Sequence, residues 1–412
     1  KELQLPADSF SMGCCCARVK PLSLRTKHTR FDCASHLKSP ALFIFGRGGG
    51  GHRASAVALR DCIENDAYAS ARIDCIELVD AADLLDIHLH GQMLPSGDDI
   101  YNWLMKAGYY ESAGQMGHLA SWGVRQSRES IEAAFEELWD EQQPAIVVSF
   151  VPFLNAPMRA SLLRCSPASR LVTVITDMAD CSSHSWIDAW DESAVNHVIV
   201  AGTPELEQQA CELGYGPTLL RTSGMMVHPD YYVQEEPLEP ELPPKVVIFF
   251  GGVPPMRVEA ITDHVAATHP DWCLVVLCGA NAELRQRLLQ GRSCLAEGFV
   301  PAARVRQHLA GAAFVLGKPG PGVAAEAFVC RVPLVTERSC AMPQELSVLR
   351  WLEDSGTGVV VDDLEQLPLD VLTKAAVCRG PLKALPQNRA VFEVAAHVAR
   401  LASGEPLVPP AQ

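Results

Sequence analysis

The feature that most constrains the fold of this chain is an alternation of strand-like and helix-like segments that occurs twice. In the first half, short apolar runs at 41–45, 72–78, 145–150, 171–176 and 197–200 alternate with amphipathic helical patterns. The same alternation starts again with runs at 245–250, 273–278, 313–316, 332–335 and 358–361. Such a pattern is typical of βαβ units and parallel sheets. The sequence therefore predicts an α/β protein with two Rossmann-like domains.

A segment rich in proline and glutamate separates the two halves. Residues 235–244 read EEPLEPELPP, a composition that continues neither a helix nor a central strand. We therefore predict a first domain at 40–234, a linker at 235–244 and a second domain at 245–386. Apolar residues at helical spacing predict a C-terminal helix and tail at 387–412, with the helix packing back across the domains.

Residues 1–39 differ from the rest of the chain in composition. They are rich in Ser, Cys, Lys and Arg, and no acid occurs from Met12 to Phe31. This pattern is typical of a flexible basic lead or of a targeting segment. Met12-Gly13 before three cysteines also resembles a start for lipidation, and that alternative stays open.

Composition narrows the classes of function. A formal charge of -15 argues against a nucleic-acid binder, because phosphate neutralisation needs clustered Lys and Arg. No apolar run reaches the roughly 20 residues that span a bilayer, so we expect any membrane contact to be peripheral. Most of the 15 cysteines are scattered singly, as at Cys273 and Cys278, which indicates buried thiols in a reducing compartment.

A glycine-rich loop, FGRGGGGHR at 45–53, follows the first predicted strand and precedes a helical pattern. Its glycines let the backbone approach a ligand, and the amides of a helix start attract anions. It is neither a dinucleotide fingerprint nor a P-loop. We predict His52 as the general base, kept neutral by the positive helix start; the alternative is that His52 only caps the helix. The predicted acceptor-side loop consists of Gly49, Gly50, Gly51 and Arg53.

A second loop, GKPGPGVAAE at 317–326, lies between a strand and a helix of the predicted second domain. Its glycines suit a phosphate-side loop. Glu326 falls about one turn into the helix, where its carboxylate can accept hydrogen bonds from a ribose diol or complement the helix dipole. Glycine turns at 251–252 and 298 converge on the same sheet edge. Gln344 and Glu345 open another helix there, within reach of the sugar hydroxyls of a donor.

Together these motifs resemble the monogalactosyldiacylglycerol synthase family and the processive diacylglycerol glycosyltransferases of glycosyltransferase family 28. More distantly, they resemble the bacterial peptidoglycan N-acetylglucosaminyltransferase. The matching segments are GGGHRASA at 49–56, VITD at 174–177, KPGPG at 318–322 and AEA at 325–327. The resemblance covers roughly residues 40–401. It implies the GT-B fold, in which two Rossmann-like domains with parallel sheets face a central cleft, and an inverting mechanism.

The resemblance also implies roles for single residues. His52 would lie near the acceptor hydroxyl, Glu326 would bind the donor ribose, and Gln344 and Glu345 would face the donor sugar. The other implied donor-binding residues are Gly251, Gly252, Gly320 and Gly322, with Phe299 and Val300 at the uracil. Segment 101–106 would face the membrane through Tyr101, Trp103 and Lys106, because aromatic residues favour the bilayer interface.

The function implied by the resemblance is that of a hexosyltransferase. It would move galactose from a UDP-sugar to the free hydroxyl of diacylglycerol and so make a glycolipid. Its partners would be the UDP-sugar, diacylglycerol and a membrane surface with anionic lipids, at the plastid envelope or on the cytoplasmic face of another membrane. No Asp-x-Asp triplet occurs, so we predict neither an essential metal nor another cofactor. The close pair His88 and His90 is interpreted as two polar residues on the surface rather than as metal ligands.

Departures from the family pattern leave alternatives open. The expected glycine-rich phosphate loop reads GGVPPM at 251–256, and FVP at 150–152 replaces a His-Pro pair. Segment 337–341 also lacks the glycine that precedes the family's Gln-Glu pair. The alternatives are a UDP-sugar-dependent GT-B enzyme with another acceptor, an epimerase, or a catalytically silent binding protein. Glucose also stays open as the donor sugar.

Overall fold

The computed structural model describes residues 40–48, 50–85, 97–182, 184–232 and 239–407. These residues lie in one compact unit. Several predictions fall outside the described residues: those for the lead at 1–39, for Gly49, for His88 and His90, for 235–238 of the linker, and for the tail at 408–412.

The first domain contains a sheet of six parallel strands in the order β2-β1-β3-β4-β5-β6. The strands are β1 (Ala41–Phe45), β2 (Ile76–Asp80), β3 (Ile146–Phe150), β4 (Arg170–Val174), β5 (His197–Ala201) and β6 (Leu219–Arg221). Strands β1 and β3 are buried along their whole length, as expected for a sheet covered on both faces. The strand order reverses between β1 and β3, so the loops after these two strands border a crevice at the carboxyl edge.

Helices cover both faces of this sheet. They are α1 (Gly51–Asn65), α2 (Ala67–Ser70), α3 (Ala81–Leu84), α4 (Gly97–Ala107), α5 (Tyr110–Gln126), α6 (Arg128–Gln142), α7 (Asn155–Cys165) and α8 (Pro204–Glu212). Helix α1 buries Leu59 and Ile63 against Phe43 on one face of the sheet. On the other face, Phe135 and Trp139 of α6 pack against residues of β1 and β3.

The second domain contains another sheet of six parallel strands, in the order β12-β11-β10-β7-β8-β9. The strands are β7 (Lys245–Phe249), β8 (Cys273–Leu277), β9 (Cys294–Glu297), β10 (Phe314–Leu316), β11 (Leu334–Glu337) and β12 (Gly358–Val361). The helices are α9 (Val258–Thr268), α10 (Ala282–Leu288), α11 (Ala302–Leu309), α12 (Pro321–Val329), α13 (Leu346–Ser355) and α14 (Val371–Ala384). This is the common Rossmann order, with its crevice between β7 and β10.

The last helix, α15 (Ala390–Ala402), packs on the first domain. Its residues Val391, Val394 and Val398 belong to the same buried cluster as Phe43 and Leu59. Beside this cluster, the side-chain amide of Asn388 donates a hydrogen bond of 2.8 Å to the carbonyl of Met225. The chain therefore returns to its first domain after completing the second.

The fold class expected from the sequence is confirmed: both halves are α/β units with parallel sheets. The sequence pattern does not predict the short edge strand β6, and β2 begins at Ile76 rather than at residue 72, whereas β9 ends directly before the predicted glycine turn at 298. Cys278 is buried as expected, but Cys273 is exposed at the start of β8, so the prediction of a buried thiol is wrong there. Within the described part of the chain, no helix is long and apolar enough to cross a membrane.

Candidate functional site

His52 lies in the first turn of α1, beside the crevice between β1 and β3. Gly50 precedes the helix with φ of 82°, a left-handed conformation that glycine adopts without steric cost. The His52 side chain is buried, at 9% exposure. Its Nδ1 lies 3.1 Å from the hydroxyl of Thr176, and the carbonyl of Phe150 is a further hydrogen-bond partner of the ring. The ring is therefore held from two neighbouring strands of the sheet.

The environment of His52 favours the neutral imidazole. Burial lowers the pKa of His52 to about 4, and the charge of His184 acts in the same direction, whereas Asp177 and the Phe150 carbonyl raise the pKa. The sequence predicts a neutral ring for a different reason, the positive start of α1. The dominant causes in the structure are burial and a second histidine.

A cluster of polar and aromatic side chains in the loop after β4 surrounds this ring. The buried carboxylate of Asp177 accepts a hydrogen bond of 2.7 Å from the indole of Trp186 and pairs with Nδ1 of His184. The rings of His184 and Trp186 each lie 5.6 Å from the His52 ring, measured between centroids. Asp177 lies in the VITD motif noted in the sequence, but His184 and Trp186 occur in an irregular loop that carries no local signal.

In the second domain, the loops after β7 and β10 lie at the crevice. The side chain of Lys318 lies between these loops. A Cβ placed on Gly251 would lie 3.9 Å from Cε of Lys318, and a Cβ placed on Gly320 would lie 3.1 Å from the same atom. The Lys318 ammonium is 2.9 Å from Oε1 of Glu345. The sequence identifies this lysine only as part of a motif. The structure places a cation between two glycine-rich loops.

The two acidic residues predicted at the donor site have different surroundings. Glu345 is 1% exposed, and its carboxylate binds Lys318 and accepts a hydrogen bond of 3.2 Å from the backbone of Met342. Glu326 faces the hydroxyl of Tyr231, and burial raises the pKa of its carboxyl to about 7. Its Oε2 is buried without a hydrogen-bond partner among the described residues. Neither carboxylate projects into open solvent.

The other predicted donor-side residues lie at or near the carboxyl edge of the second sheet. Gln344 is partly exposed next to Glu345, and Gly322 is exposed in the first turn of α12. Phe299 is exposed after β9, whereas Val300 packs partly against the second-domain core.

In the altered loop at 251–256, the side-chain amide of Asn281 donates a hydrogen bond of 3.0 Å to the carbonyl of Pro254.

The glycine loops of the two domains lie next to each other. A Cβ placed on Gly50 would lie 3.9 Å from Cα of Gly252, so there is room for about one added carbon atom between the loop that precedes His52 and the loop after β7. Close by in sequence, the backbone amide of Met256 donates a hydrogen bond of 3.3 Å to the carbonyl of Lys106. The carboxyl edges of both sheets therefore meet at one place.

The predicted membrane-facing segment divides its side chains between two environments. The hydroxyl of Tyr101 donates to the sulfur of Met342 at 3.4 Å, and the Lys106 ammonium lies 3.9 Å from Glu283. Both partners belong to the second domain, so Tyr101 and Lys106 contact that domain, and their membrane-facing position stays a prediction. Trp103 is 61% exposed, and its ring lies 6.1 Å from that of Tyr109.

Two further features complete the site. Arg53 and Gly51 of the predicted acceptor-side loop are exposed in the first turn of α1. Across the residues that the structure describes, no three or more His, Cys, Asp or Glu side chains form a group able to hold a metal ion.

Two Rossmann-like domains whose sheet edges meet at a shared site define the class of the chain: it has the GT-B fold. MurG of Acinetobacter baumannii has a TM-score of 0.51 at 10% identity, covering 88% of this chain and 99% of that one. The UDP-GlcNAc 2-epimerase of Neisseria meningitidis, bound to UDP-GlcNAc, has a TM-score of 0.51 at 11% identity, covering 89% and 100%. At such identities the likeness shows the fold alone.

The chain is similar in sequence to the plant monogalactosyldiacylglycerol synthases, so the resemblance noted in the sequence is confirmed. A probable chloroplastic synthase of Nicotiana tabacum is 25% identical, covering 77% of this chain and 61% of that protein. The chloroplastic synthase of Spinacia oleracea is 24% identical, covering 84% and 68%. The chain thus spans about three fifths of the tobacco protein and two thirds of the spinach protein. No family model matches the chain.

Proposed function

We propose that this chain is an inverting glycosyltransferase that moves a hexose, galactose foremost, from a UDP-sugar to the free hydroxyl of diacylglycerol. The observation that carries the proposal is the close approach of the loop before His52 to the loop after β7. It brings a neutral imidazole of one domain to a pair of glycine-rich loops of the other. The similarity to plant synthases of this activity supports the choice of donor and acceptor.

On the acceptor side, His52 is the base. Its imidazole is uncharged at neutral pH, because burial lowers its pKa to about 4, and a neutral ring can take a proton. As the acceptor oxygen attacks the anomeric carbon, its proton passes to His52. The new carbon–oxygen bond forms while the bond to the diphosphate breaks, and UDP leaves with the bonding electrons. Attack opposite the leaving group inverts the anomeric centre.

On the donor side, Gly251, Gly252, Gly320 and Gly322 accommodate the diphosphate. Backbone amides at helix starts bind anions, but Pro254 and Pro255 contribute no amide hydrogens to the first loop. Lys318 offsets this loss. Burial lowers its pKa, but the charge and hydrogen bond of Glu345, together with Tyr101 and Cys340, raise the pKa by more, so Lys318 keeps its charge between the two loops. A cation here stabilises the negative charge that develops on the leaving group.

The remaining donor contacts are assigned to residues along the same edge. The unpartnered Oε2 of Glu326 accepts a hydrogen bond from the ribose, since a buried acceptor without a donor is unfavourable. The backbone at Phe299 and Val300 holds the uracil. Gln344 binds hydroxyls of the sugar. Glu345 holds the ammonium of Lys318 and keeps it charged.

The acceptor dissolves in membranes, so the protein must reach a bilayer surface. We assign this contact to the exposed aromatic pair Trp103 and Tyr109, because indole and phenol rings favour the bilayer interface. Exposed Arg53 adds attraction to anionic lipids, which salt weakens. We assign this membrane to the plastid envelope, and the chloroplastic location of the relatives supports a plastid membrane.

The test is a donor panel with diacylglycerol in vesicles. Purified full-length chain is incubated with UDP-galactose, UDP-glucose or UDP-N-acetylglucosamine, and both the glycolipid and UDP are quantified. We expect galactosyldiacylglycerol as the main product. His52→Ala should lower kcat at least about 100-fold, whereas His118→Ala, an exposed histidine of α5, should not. UDP-sugar binding without transfer to any lipid would indicate a silent binding protein, and full activity of His52→Ala would exclude His52 as the base.

A further inference from the structure

The environment of His52 includes one ion pair that the proposed reaction does not use. Asp177 is 4% exposed, and its carboxylate is bound by the indole of Trp186 and by Nδ1 of His184. Burial raises the pKa of Asp177, but the charge and hydrogen bond of His184, the hydrogen bond of Trp186 and the charge of His52 together lower it by more, so the net pKa lies below its ordinary value. Asp177 is therefore an ionised carboxylate with a histidine as its partner.

The Asp177–His184 pair lies close enough to His52 for its charges to shift the pKa of His52. The His184 ring lies 5.6 Å from the His52 ring and 5.7 Å from the Trp186 ring. Because Asp177 binds both Trp186 and His184, one carboxylate positions both aromatic neighbours of His52. The hydrogen bond at Nδ1 also fixes the orientation of the His184 imidazole.

Among the residues that the structure describes, the charged groups that act on His52 come from this loop. The end of β3 contributes only the carbonyl of Phe150, and Thr176 contributes only its hydroxyl. The next residue on α1, Arg53, is exposed to solvent. His184 and Asp177 are the two groups whose charges shift the His52 equilibrium, and the effect of His184 is the larger.

We propose that Asp177 and His184 are a positioning pair for His52. Asp177 retains a protonated His184 against the His52 ring, which keeps His52 uncharged and able to receive the proton of the acceptor hydroxyl. Two positive imidazoles 5.6 Å apart repel each other strongly in a partly buried site, so the histidine that has the carboxylate holds the proton. The catalytic consequence rests on the proposed function, but the order of protonation does not.

The first test is an NMR titration of histidine side chains in the full chain, labelled with ¹³C and ¹⁵N in histidine. In the wild type we expect the nitrogen shifts of an imidazolium for His184 at a pH where His52 is still neutral. In His184→Gln the cation is lost and Asp177 is left uncompensated, so the His52 midpoint should rise by about one to two pH units. His184→Lys retains a cation and should keep the midpoint low, and His118→Gln should leave it unchanged.

An unchanged His52 midpoint in His184→Gln, or protonation of His52 before His184 in the wild type, would overturn the proposal. The order of protonation in the wild type decides the matter even if a variant does not fold. The second test is the pH dependence of kcat/KM for sugar transfer. In His184→Gln its acid limb should move to higher pH along with the His52 midpoint. If the wild type transfers no sugar, the proposed function fails while the titration still tests the ion pair.

Discussion

Two buried carboxyl groups of the second domain show how a single partner changes the behaviour of a residue. Glu345 has the ammonium of Lys318 at 2.9 Å. Glu326 has only the hydroxyl of Tyr231, and burial raises its pKa to about 7. A carboxylate without a cation is costly to bury, so the protein retains a proton on Glu326 that the unfolded chain releases.

This difference predicts a dependence of stability on pH. Between the ordinary glutamate value near 4.5 and about 7, the folded chain binds one proton more than the unfolded chain, so the free energy of unfolding falls as pH rises. Glu326→Gln mimics the neutral carboxyl and should remove this loss. Relative to the wild type, its stability should improve by up to about 3 kcal/mol between pH 5 and pH 8.

Urea unfolding at both pH values measures this difference, with Glu405→Gln, an exposed glutamate, as the matched control. Equal pH dependence of Glu326→Gln and the wild type would show that Glu326 is ionised in the folded chain. Weaker UDP binding by Glu326→Gln would separately support its assignment to the ribose, because an amide oxygen is a weaker acceptor than a carboxylate.

Helix α4 shows how one element serves two surfaces. Its Met105 is buried with Ala113 of α5 and Met342 of the second domain. Tyr101 and Lys106 also contact the second domain. Trp103 points outward instead, and Leu119 and Trp122 are exposed on α5. The same helix therefore connects the domains on one side and presents an aromatic ring to solvent on the other.

The outward face predicts a measurable effect on membrane binding. Trp103→Ala should lower the affinity for vesicles of phosphatidylglycerol and phosphatidylcholine about tenfold, because it removes the apolar area that a tryptophan buries in the interface. Co-sedimentation with vesicles at several salt concentrations measures this change. Trp190→Ala removes an exposed tryptophan elsewhere in the first domain and should leave binding intact. Equal losses in both variants would contradict the assignment of the membrane contact to α4.

Across the molecule as a whole, the C-terminal helix α15 packs against the first domain, at the opposite end of the sequence. Val394 of α15 belongs to the buried cluster that contains Phe43 and Leu59. The amide of Ser223 also donates a hydrogen bond of 2.8 Å to Glu393. The core of the first domain is therefore complete only after the second domain has been traversed.

Val394→Ala should consequently loosen the first domain. The cavity left by a valine truncation costs about 1 to 3 kcal/mol, and we expect faster amide hydrogen exchange in α1, although the substitution lies far along the sequence. Hydrogen exchange with mass spectrometry measures the rate segment by segment. The control is Ala396→Ser, at an exposed position of the same helix. Faster exchange confined to the second domain would contradict the packing of α15 on α1.

Features that depend on residues close together in the chain can be predicted from the amino-acid sequence. Apolar periodicity is a local property, so the two sets of βα repeats and the C-terminal helix are readable without coordinates. The glycines at 251–252 and before His52 are equally readable, because a left-handed or closely approached backbone excludes most other residues. A strand without strong periodicity, such as β6, is not readable from the sequence, since its neighbour in the sheet stabilises it.

Contacts between residues that are distant in the sequence depend on the tertiary structure. Nothing in the spacing of His52, Asp177 and His184 indicates that side chains of the loop after β4 surround the His52 ring, because their proximity follows from strand order. The contacts of Tyr101 with Met342 and of Lys106 with Glu283 likewise join residues that are far apart in the sequence. The low pKa of His52 has the same origin: helix starts are visible in a sequence, but burial and a neighbouring charge exist only once the chain has folded.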